Sequence, residues 1–284
     1  EASGSEHTAI AEVAHKCLQA HMNETSAWIF AGQIFELIDQ DDQAEAVYRD
    51  ALASEQDEKE QAWLFLGRLL SQHTGRAEEA EQALRSAVEI SGRSHCGPFK
   101  DLAELLVHRG NDTQAYSLVK EALEINKRCF CSLLLKSQID IRNQNIDSAV
   151  ELLRRAIEIN PHSIHAITEL ASIVQSDEAV QLIEKANDIA SGHPLVLLAR
   201  GRLQERSLPD RLNDIQRAIE IDSDLAEGKL ALAELHSLLD DDEKVASLMS
   251  EVLAAVRHRM ELIPSFVDSA IEIVGHDKAH IMEQ

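Results

Sequence analysis

The chain has 284 residues, 44% of them hydrophobic and 4% aromatic, and its 50 acidic and 27 basic residues give a formal net charge of −23. So acidic a chain is poorly suited to nucleic-acid phosphates or anionic membrane surfaces, and without any run of about 18 uncharged apolar residues no membrane insertion is predicted. Few prolines and glycines, and no β-branched runs of strand length, predict an all-α fold.

The first predicted element is a helix over residues 8–22, with Ile10, Ala14 and Cys17 on one face. It matches the second half of the helix pairs that follow, so residues 1–24 are predicted to be the second helix of an incomplete or capping repeat. The N-terminus has neither an initiator Met nor the basic and apolar regions of a signal peptide. We therefore expect the chain to be one part of a longer protein.

Next, one sequence pattern occurs twice, 35 residues apart: Trp28-x-x-Ala31-Gly32-x-x-Phe35 and Trp63-x-x-Leu66-Gly67-x-x-Leu70. A second pattern of Ala, a large apolar residue and Ala follows at later copies: Ala115/Val119/Ala122, Ala149/Leu153/Ala156 and Ala179/Ile183/Ala186. A period of about 34 residues is typical of paired helices that stack on their neighbours. Seven copies fit, at 25–58, 60–94, 96–129, 130–163, 164–192, 194–223 and 226–259.

These patterns resemble the tetratricopeptide repeat family over residues 25–259. The resemblance implies a right-handed α-solenoid of about seven antiparallel helix pairs with flanking helices. Residues 260–284 are predicted to be a C-terminal capping helix, over 264–274, and a tail. The copy at 164–192 is about four residues short and that at 194–223 about two short, so we expect the superhelix to bend there.

Small and large residues of the pattern have different packing roles. Gly32, Gly67 and Gly201 are predicted to lie where a Cβ would strike the partner helix. Trp28 and Trp63 are predicted to fill the gap between the helices of a pair.

In the family, the first helix of each pair lines a concave groove. Transferring those positions predicts partner-binding residues from four copies: Ile29, Phe30, Gln33, Leu37; Leu64, Phe65, Arg68, Gln72; Lys100, Asp101, Glu104, His108; and Leu134, Leu135, Gln138, Arg142. Two sets are apolar, one is charged and one is mixed. Exposed apolar patches usually have an occupant, which would be an external partner or, alternatively, a tight superhelix or terminal helix of the same chain.

One subset of the family that this chain resembles uses Lys, Asn and Arg at groove positions to clamp the C-terminal carboxylate of chaperones. The corresponding positions here hold Phe30, Phe65, Asp101, Leu135 and Glu169. The clamp is absent, so a chaperone-tail adaptor is not predicted.

Acidic charge is concentrated in residues 1–58, with 13 acidic and 2 basic side chains, and in 164–284, with 23 and 11. This distribution would steer a basic partner toward either end. The alternative is that acidic runs such as 39–42 and 240–243 mark solvated helix starts, where negative charge favours the helix dipole.

Candidate metal ligands are few. His162, His165 and Glu169 fall on roughly one helical face, and His276 and His280 are four residues apart. Cys129-x-Cys131 and His95-Cys96 lie near the starts of adjacent repeats, a placement that would allow them to converge. A polar surface is the preferred interpretation of the first two sets, and the cysteine spacing matches no standard zinc pattern. No cofactor or metal is predicted.

No nucleophile elbow, phosphate-binding loop or zinc-protease motif occurs, so an enzyme is not predicted. The chain is predicted to be a protein–protein interaction scaffold that binds a peptide or amphipathic helix of a partner. The alternative is a non-catalytic recruiting or regulatory segment of a larger enzyme or assembly, such as a glycosyltransferase or secretion machine. Four irregularly spaced Cys suggest a reducing, cytoplasmic location, and self-association through the solenoid ends is left open.

Overall fold

The structure is a computed structural model that describes residues 2–21, 24–54, 59–73, 75–92, 94–239 and 241–258. All regular secondary structure in these residues is helical. The helices are α1 (Ala2–Ala20), α2 (Thr25–Leu37), α3 (Asp41–Ala53), α4 (Lys59–Ser71), α5 (Ala77–Ser91), α6 (Gly97–His108), α7 (Asp112–Ile125), α8 (Phe130–Arg142), α9 (Ile146–Ile159), α10 (Ile164–Ile173), α11 (Ser176–Ala190), α12 (Pro194–Arg202), α13 (Leu208–Ile221), α14 (Ala226–Ser237) and α15 (Asp242–His258).

The chain divides into two compact units. Unit 1 comprises residues 1–107 and 111–129, and unit 2 comprises 108–110 and 130–284. In unit 1, α2 packs on α3 and α4 on α5, and α2 also contacts α4 directly. In unit 2 the pairs are α8 with α9, α10 with α11, α12 with α13 and α14 with α15, while α12 contacts both α10 and α14. Because the first helices of successive pairs touch, they form a shared face within each unit.

Small residues of the second helices are buried where the helices cross, as the repeat pattern predicts. Ala44 and Ala51 of α3 are buried, as are the Ala residues of the later copies. Trp28 and Trp63 are half-buried, and their place between the helices of a pair stays a prediction. The largest fully buried side chains of the first pair are Phe35, which lies against His15 of α1, and Tyr48, which lies against Gly32 between α2 and α3.

The three glycines predicted at close helix approaches lie at such approaches. A Cβ on Gly32 would overlap the Tyr48 ring, and one on Gly67 would lie 2.6 Å from Cγ of Leu84. A Cβ on Gly201 would lie 2.9 Å from Cδ1 of Ile215. Each contact pairs the first helix of a repeat with its own second helix, so glycine sets the helix spacing.

The short repeats of the sequence have short first helices. Helices α10 and α12 have 10 and 9 residues, against 13 in α2, α4 and α8. Ser163 and Ser207 cap the N-termini of α10 and α13 by accepting hydrogen bonds from Ala166 N and Asp210 N. Helix α12 ends at Arg202 and α13 begins at Leu208, so residues 203–207 are not helical.

At the N-terminus, α1 begins earlier than the predicted helix and packs on α2. Ala14 is fully buried and His15 lies against Phe35, with ring centroids 5.3 Å apart. The predicted capping helix at 264–274, the tail, and His276 and His280 lie outside the described residues. No helix among the described residues combines the length and apolar character needed to cross a bilayer.

Candidate functional site

The predicted binding residues of α2 divide into an open and a buried set. Phe30 is 52% exposed and Leu37 is 81% exposed, and both lie on the same helical face as the exposed Gln33. Ile29 is buried, which differs from its predicted position on an open surface because this side chain packs among the helices. The exposed face of α2 therefore presents two large apolar side chains to solvent.

On α4, the predicted residues belong largely to internal packing. Leu64 is buried, and Phe65 stacks on Tyr48 with ring centroids 6.0 Å apart. The guanidinium carbon of Arg68 lies 5.3 Å from the Phe65 ring centroid, a cation–π distance. Tyr48 in turn donates a hydrogen bond to Glu36 of α2. Of the four residues predicted on this helix or just after it, only Gln72 is fully exposed.

The charged set predicted in the third copy is neutralised within unit 1. The buried carboxylate of Asp101 accepts Arg68 Nε at 2.6 Å and Lys100 Nζ at 2.8 Å, and Lys100 also lies 2.7 Å from Glu104. Burial by itself would lower the pKa of Lys100, but the hydrogen bonds to Asp101 and Glu104 raise it overall. Asp101 therefore joins neighbouring repeats instead of offering a free charge to a partner, while His108 at the end of α6 is exposed.

The fourth predicted set, on α8, is mixed in its exposure as well as in its chemistry. Leu135 is buried and Leu134 half-buried, while Arg142 at the end of α8 is exposed. Gln138 is half-buried, and its Nε2 donates to Glu169 Oε1 of α10 at 2.9 Å. This hydrogen bond joins the fourth copy of the repeat to the fifth.

Unit 2 contains a groove of about 920 Å³, which we call the unit 2 groove. Its walls come from α8, α10, α11, α12, residues 203–205 and the start of α14. The residues that line it include Gln138, His165, Glu169, Ser172, Val174, Leu195, Arg202, Leu203, Glu205, Asp222, Asp224, Leu225 and Glu227. It lies at the two repeats whose first helices are short, and residues 203–205 take part in its wall.

Glu169 is a largely buried carboxylate in the wall of the unit 2 groove. Its side chain is 20% exposed, its Oε1 accepts Gln138 Nε2, and His165 Nε2 lies 3.6 Å from the same oxygen. Its other oxygen, Oε2, is buried and has no hydrogen-bond partner among the described residues. Burial raises the pKa of Glu169, and the charge of Glu227 adds to this rise, while His165 and Gln138 oppose it.

Most of the unit 2 groove was missed by sequence reasoning, which assigned binding positions only in the first four copies. Glu169 occupies the same repeat position as Phe30, Phe65, Asp101 and Leu135, so the same transfer continued to α10 would have included it. The role of residues 203–205 had no sequence signal, because the repeat pattern is interrupted there.

The acidic runs mark helix starts. Asp41 and Asp42 lie in the first turn of α3, and Asp242 and Glu243 lie in the first turn of α15. These positions agree with the interpretation that the negative charge interacts with the helix dipole.

Two pairs of the predicted candidate metal ligands lie close together, Cys96 with Cys129 and His165 with Glu169. Cys96 Sγ lies 3.1 Å from Cys129 Sγ, while Cys131 is exposed. His165 and Glu169 are close, but His162 is exposed at the preceding turn. Over the described part of the chain, no three His, Cys, Asp or Glu side chains are grouped to hold a metal ion.

The cysteines should differ strongly in reactivity. Since the thiolate is the reactive form, and burial with the adjacent Cys129 thiol raises the pKa of Cys96 to about 11, we expect iodoacetamide near neutral pH to alkylate Cys96 about tenfold or more slowly than exposed Cys131. Peptide mass spectrometry over a time course measures both rates. In urea the rates should converge; equal rates in the folded chain would contradict the packing of the pair.

The geometry can be compared with known proteins. Residues 60–93 and 132–163 match the family model described as tetratricopeptide repeat. No curated protein is significantly similar to the chain in sequence.

Solved structures share the fold at low sequence identity. A chain of the APC/C hetero-tetramer Cut9–Hcn1 superposes with a TM-score of 0.67 at 11% identity, over 82% of this chain and 46% of that one. A tetratricopeptide repeat protein from Parabacteroides merdae gives 0.62 at 15% identity, over 81% and 92%. Yeast Tom70 gives 0.56 at 12% identity, over 98% and 62%. The chain thus spans about half the length of the Cut9–Hcn1 chain.

The packing of the helices agrees with the repeat matches. Stacked helix pairs with glycine and alanine at their crossings are found in both units, and the matched segments fall on the second and fourth predicted copies. The chain therefore contains tetratricopeptide repeats, at residues 60–93 and 132–163, and its described residues have an all-α solenoid architecture.

Proposed function

We propose that this chain is a non-catalytic interaction scaffold that binds a peptide or helix of a partner protein on the faces formed by its first helices. Tetratricopeptide repeats are in general interaction modules, which supports protein binding in the broad sense. The observation that carries the finer proposal is the unit 2 groove of about 920 Å³, formed where the first helices of successive repeats meet. Grooves lined by apolar side chains with a few polar groups are the usual form of peptide sites.

The face of α2 supports a second contact region on the same scaffold. Phe30 and Leu37 are large, apolar and exposed one above the other, which is unusual unless something covers them. Of the sixteen residues predicted from the sequence, those that remain available to a partner are the exposed and half-buried ones. The buried Ile29, Leu64, Asp101 and Leu135 act by holding the surface in place.

Selection of peptides by the full chain tests this function. A phage-displayed library of random dodecamers is selected on the wild-type chain, and the recovered peptides are synthesised with a fluorescent label for anisotropy. Ser172→Trp fills the unit 2 groove, and Phe30→Glu with Leu37→Glu changes the α2 face. Phe65 is left intact because it stacks on Tyr48.

At least one of these variants should weaken peptide binding by about tenfold or more, the loss expected at a contact centre. Matched controls carry the same changes elsewhere: Gln216→Trp on α13 and Ile90→Glu on α5, both at exposed positions. Circular dichroism verifies that each variant is folded. Peptides that bind Ser172→Trp and the Phe30→Glu/Leu37→Glu variant as tightly as they bind the wild type would refute binding on the first helices.

A further inference from the structure

Glu169 is a carboxylate that the described residues leave incompletely paired. One oxygen accepts Gln138, while Oε2 is buried in the wall of the unit 2 groove without a hydrogen-bond donor. Burying an anionic oxygen without a donor costs free energy, and a cationic group that reaches it would recover part of that cost. Because the Glu169 side chain as a whole is 20% exposed and lines the groove, a rotation of its carboxylate would bring Oε2 within reach of a donor bound there.

The mouth of the unit 2 groove has the charge that would attract such a donor. Four further acidic side chains take part in its lining: Glu205, Asp222, Asp224 and Glu227. The one Arg of its lining, Arg202, lies 3.9 Å from Glu227, and the two side chains are 42% and 63% exposed. Acidic clefts concentrate basic ligands and speed their association. Since no third metal-ligating side chain joins His165 and Glu169 among the described residues, an ammonium or guanidinium group fits this site better than a metal ion.

Apolar side chains flank the same cavity. Val174, Leu195, Leu203 and Leu225 are half-buried and line its walls. They offer contact area to a hydrophobic side chain adjacent to a basic one, or to the methylene stem of Lys or Arg. The volume is sufficient for several side chains of an extended or helical segment.

We propose that the unit 2 groove binds a basic segment of a partner protein, with a Lys or Arg side chain paired to Glu169 and an adjacent apolar side chain packed on Leu195 and Leu225. The proposal rests on the proposed function and names the class of partner. Guanidinium is the better match of the two cations, because it can satisfy Oε2 and a second acceptor at once.

The test uses the full chain and the dodecamer library, with sequence composition as its readout. Peptides selected by the wild type should be enriched in Lys or Arg next to an apolar residue. Glu169→Gln keeps the size and the contact with Gln138 but removes the charge, so peptides selected on it should lose this enrichment. Glu169→Lys should exchange it for enrichment in Asp and Glu. Glu220→Gln on α13 removes the same charge at an exposed position and should select the wild-type peptides.

Affinities measured by fluorescence anisotropy complete the comparison. For the best wild-type peptide, Glu169→Gln should weaken binding by about 30-fold or more, as expected for one lost partner of a desolvated charge pair. Replacing the basic residue of the peptide by norleucine should have a similar effect on the wild type and little effect on Glu169→Gln.

Two outcomes would overturn the proposal. They differ in whether the proposed scaffold function is overturned as well. Peptides whose binding is abolished by Ser172→Trp but which show no basic enrichment, and bind Glu169→Gln normally, would overturn the basic specificity and leave the scaffold function intact. Peptides insensitive to Ser172→Trp as well as to the α2 variant would overturn both.

Discussion

Replacing Asp214 by Ala should lower the free energy of unfolding of unit 2 by about 3–5 kcal/mol, the range for removing one partner of a buried charge cluster. The Asp214 side chain is 3% exposed, and its Oδ2 lies 3.2 Å from Arg200 Nη2 and 3.1 Å from Arg206 Nη2. Without the carboxylate, the two partly buried guanidinium groups face each other and lose their shared counter-charge, and Arg200 Nη1 keeps its hydrogen bond to Asn187 Oδ1. The loss is therefore dominated by the two cations left behind.

The position of Asp214 makes the same change relevant to the unit 2 groove. Arg206 belongs to the non-helical residues 203–207, whose first three residues form part of the groove wall, and Asp214 ties it to α13. Urea unfolding followed by circular dichroism gives the stability. Asp188→Ala, at an exposed position on α11, should change stability by no more than about 0.5 kcal/mol. Equal effects of the two substitutions would contradict a structural role for the Asp214 cluster.

A double-mutant cycle on Gly32 and Tyr48 should show strong coupling. Gly32→Ala alone should destabilise unit 1 by about 1–3 kcal/mol, because its Cβ would overlap the fully buried Tyr48 ring. Tyr48→Ala alone should cost about 3–5 kcal/mol, as expected for a buried aromatic side chain. Both single substitutions change the packing at the same contact between α2 and α3.

In the Tyr48→Ala background the sign of the glycine substitution should reverse. The added methyl group then enters the cavity left by the ring, and Ala is favoured over Gly in a helix interior by about 1 kcal/mol. Urea midpoints of the four proteins measure the coupling. Gly97→Ala, where a new Cβ meets nothing within 4 Å, serves as the control and should be neutral or stabilising. Additive effects at Gly32 and Tyr48 would show that the ring does not set the helix spacing.

The two candidate surfaces would select different chemistry from partner proteins. The α2 face offers exposed Phe30 and Leu37, whereas the unit 2 groove combines apolar walls with an acidic mouth and a partly unsatisfied carboxylate. The proposed charge steering thus acts at a specific cavity within the acidic residues 164–284. Binding to the groove should weaken as salt rises, because its mouth is solvent-accessible.

The sequence predicted the helix pairs because their determinants are local and periodic. Gly32, Gly67 and Gly201 occur at crossing positions of the repeat, and a missing Cβ is required there whatever the neighbouring repeats contain. Short repeats were also readable from the sequence, since the length of a copy limits the length of its helices. The transfer of groove positions was less informative, because it specifies a helix face and not the depth at which each side chain lies.

The sequence by itself determined the repeat period, the all-α fold and the residues that space the helices, because these depend on patterns within about 34 residues. Only the tertiary structure decided which polar groups are satisfied. Arg68 and Asp101 are 33 residues apart and pair with each other, whereas Glu169 finds one donor for two oxygens. Burial and pairing depend on side chains contributed by neighbouring repeats, and the same repeat position therefore holds a neutralised Asp in one copy and an unsatisfied Glu in another.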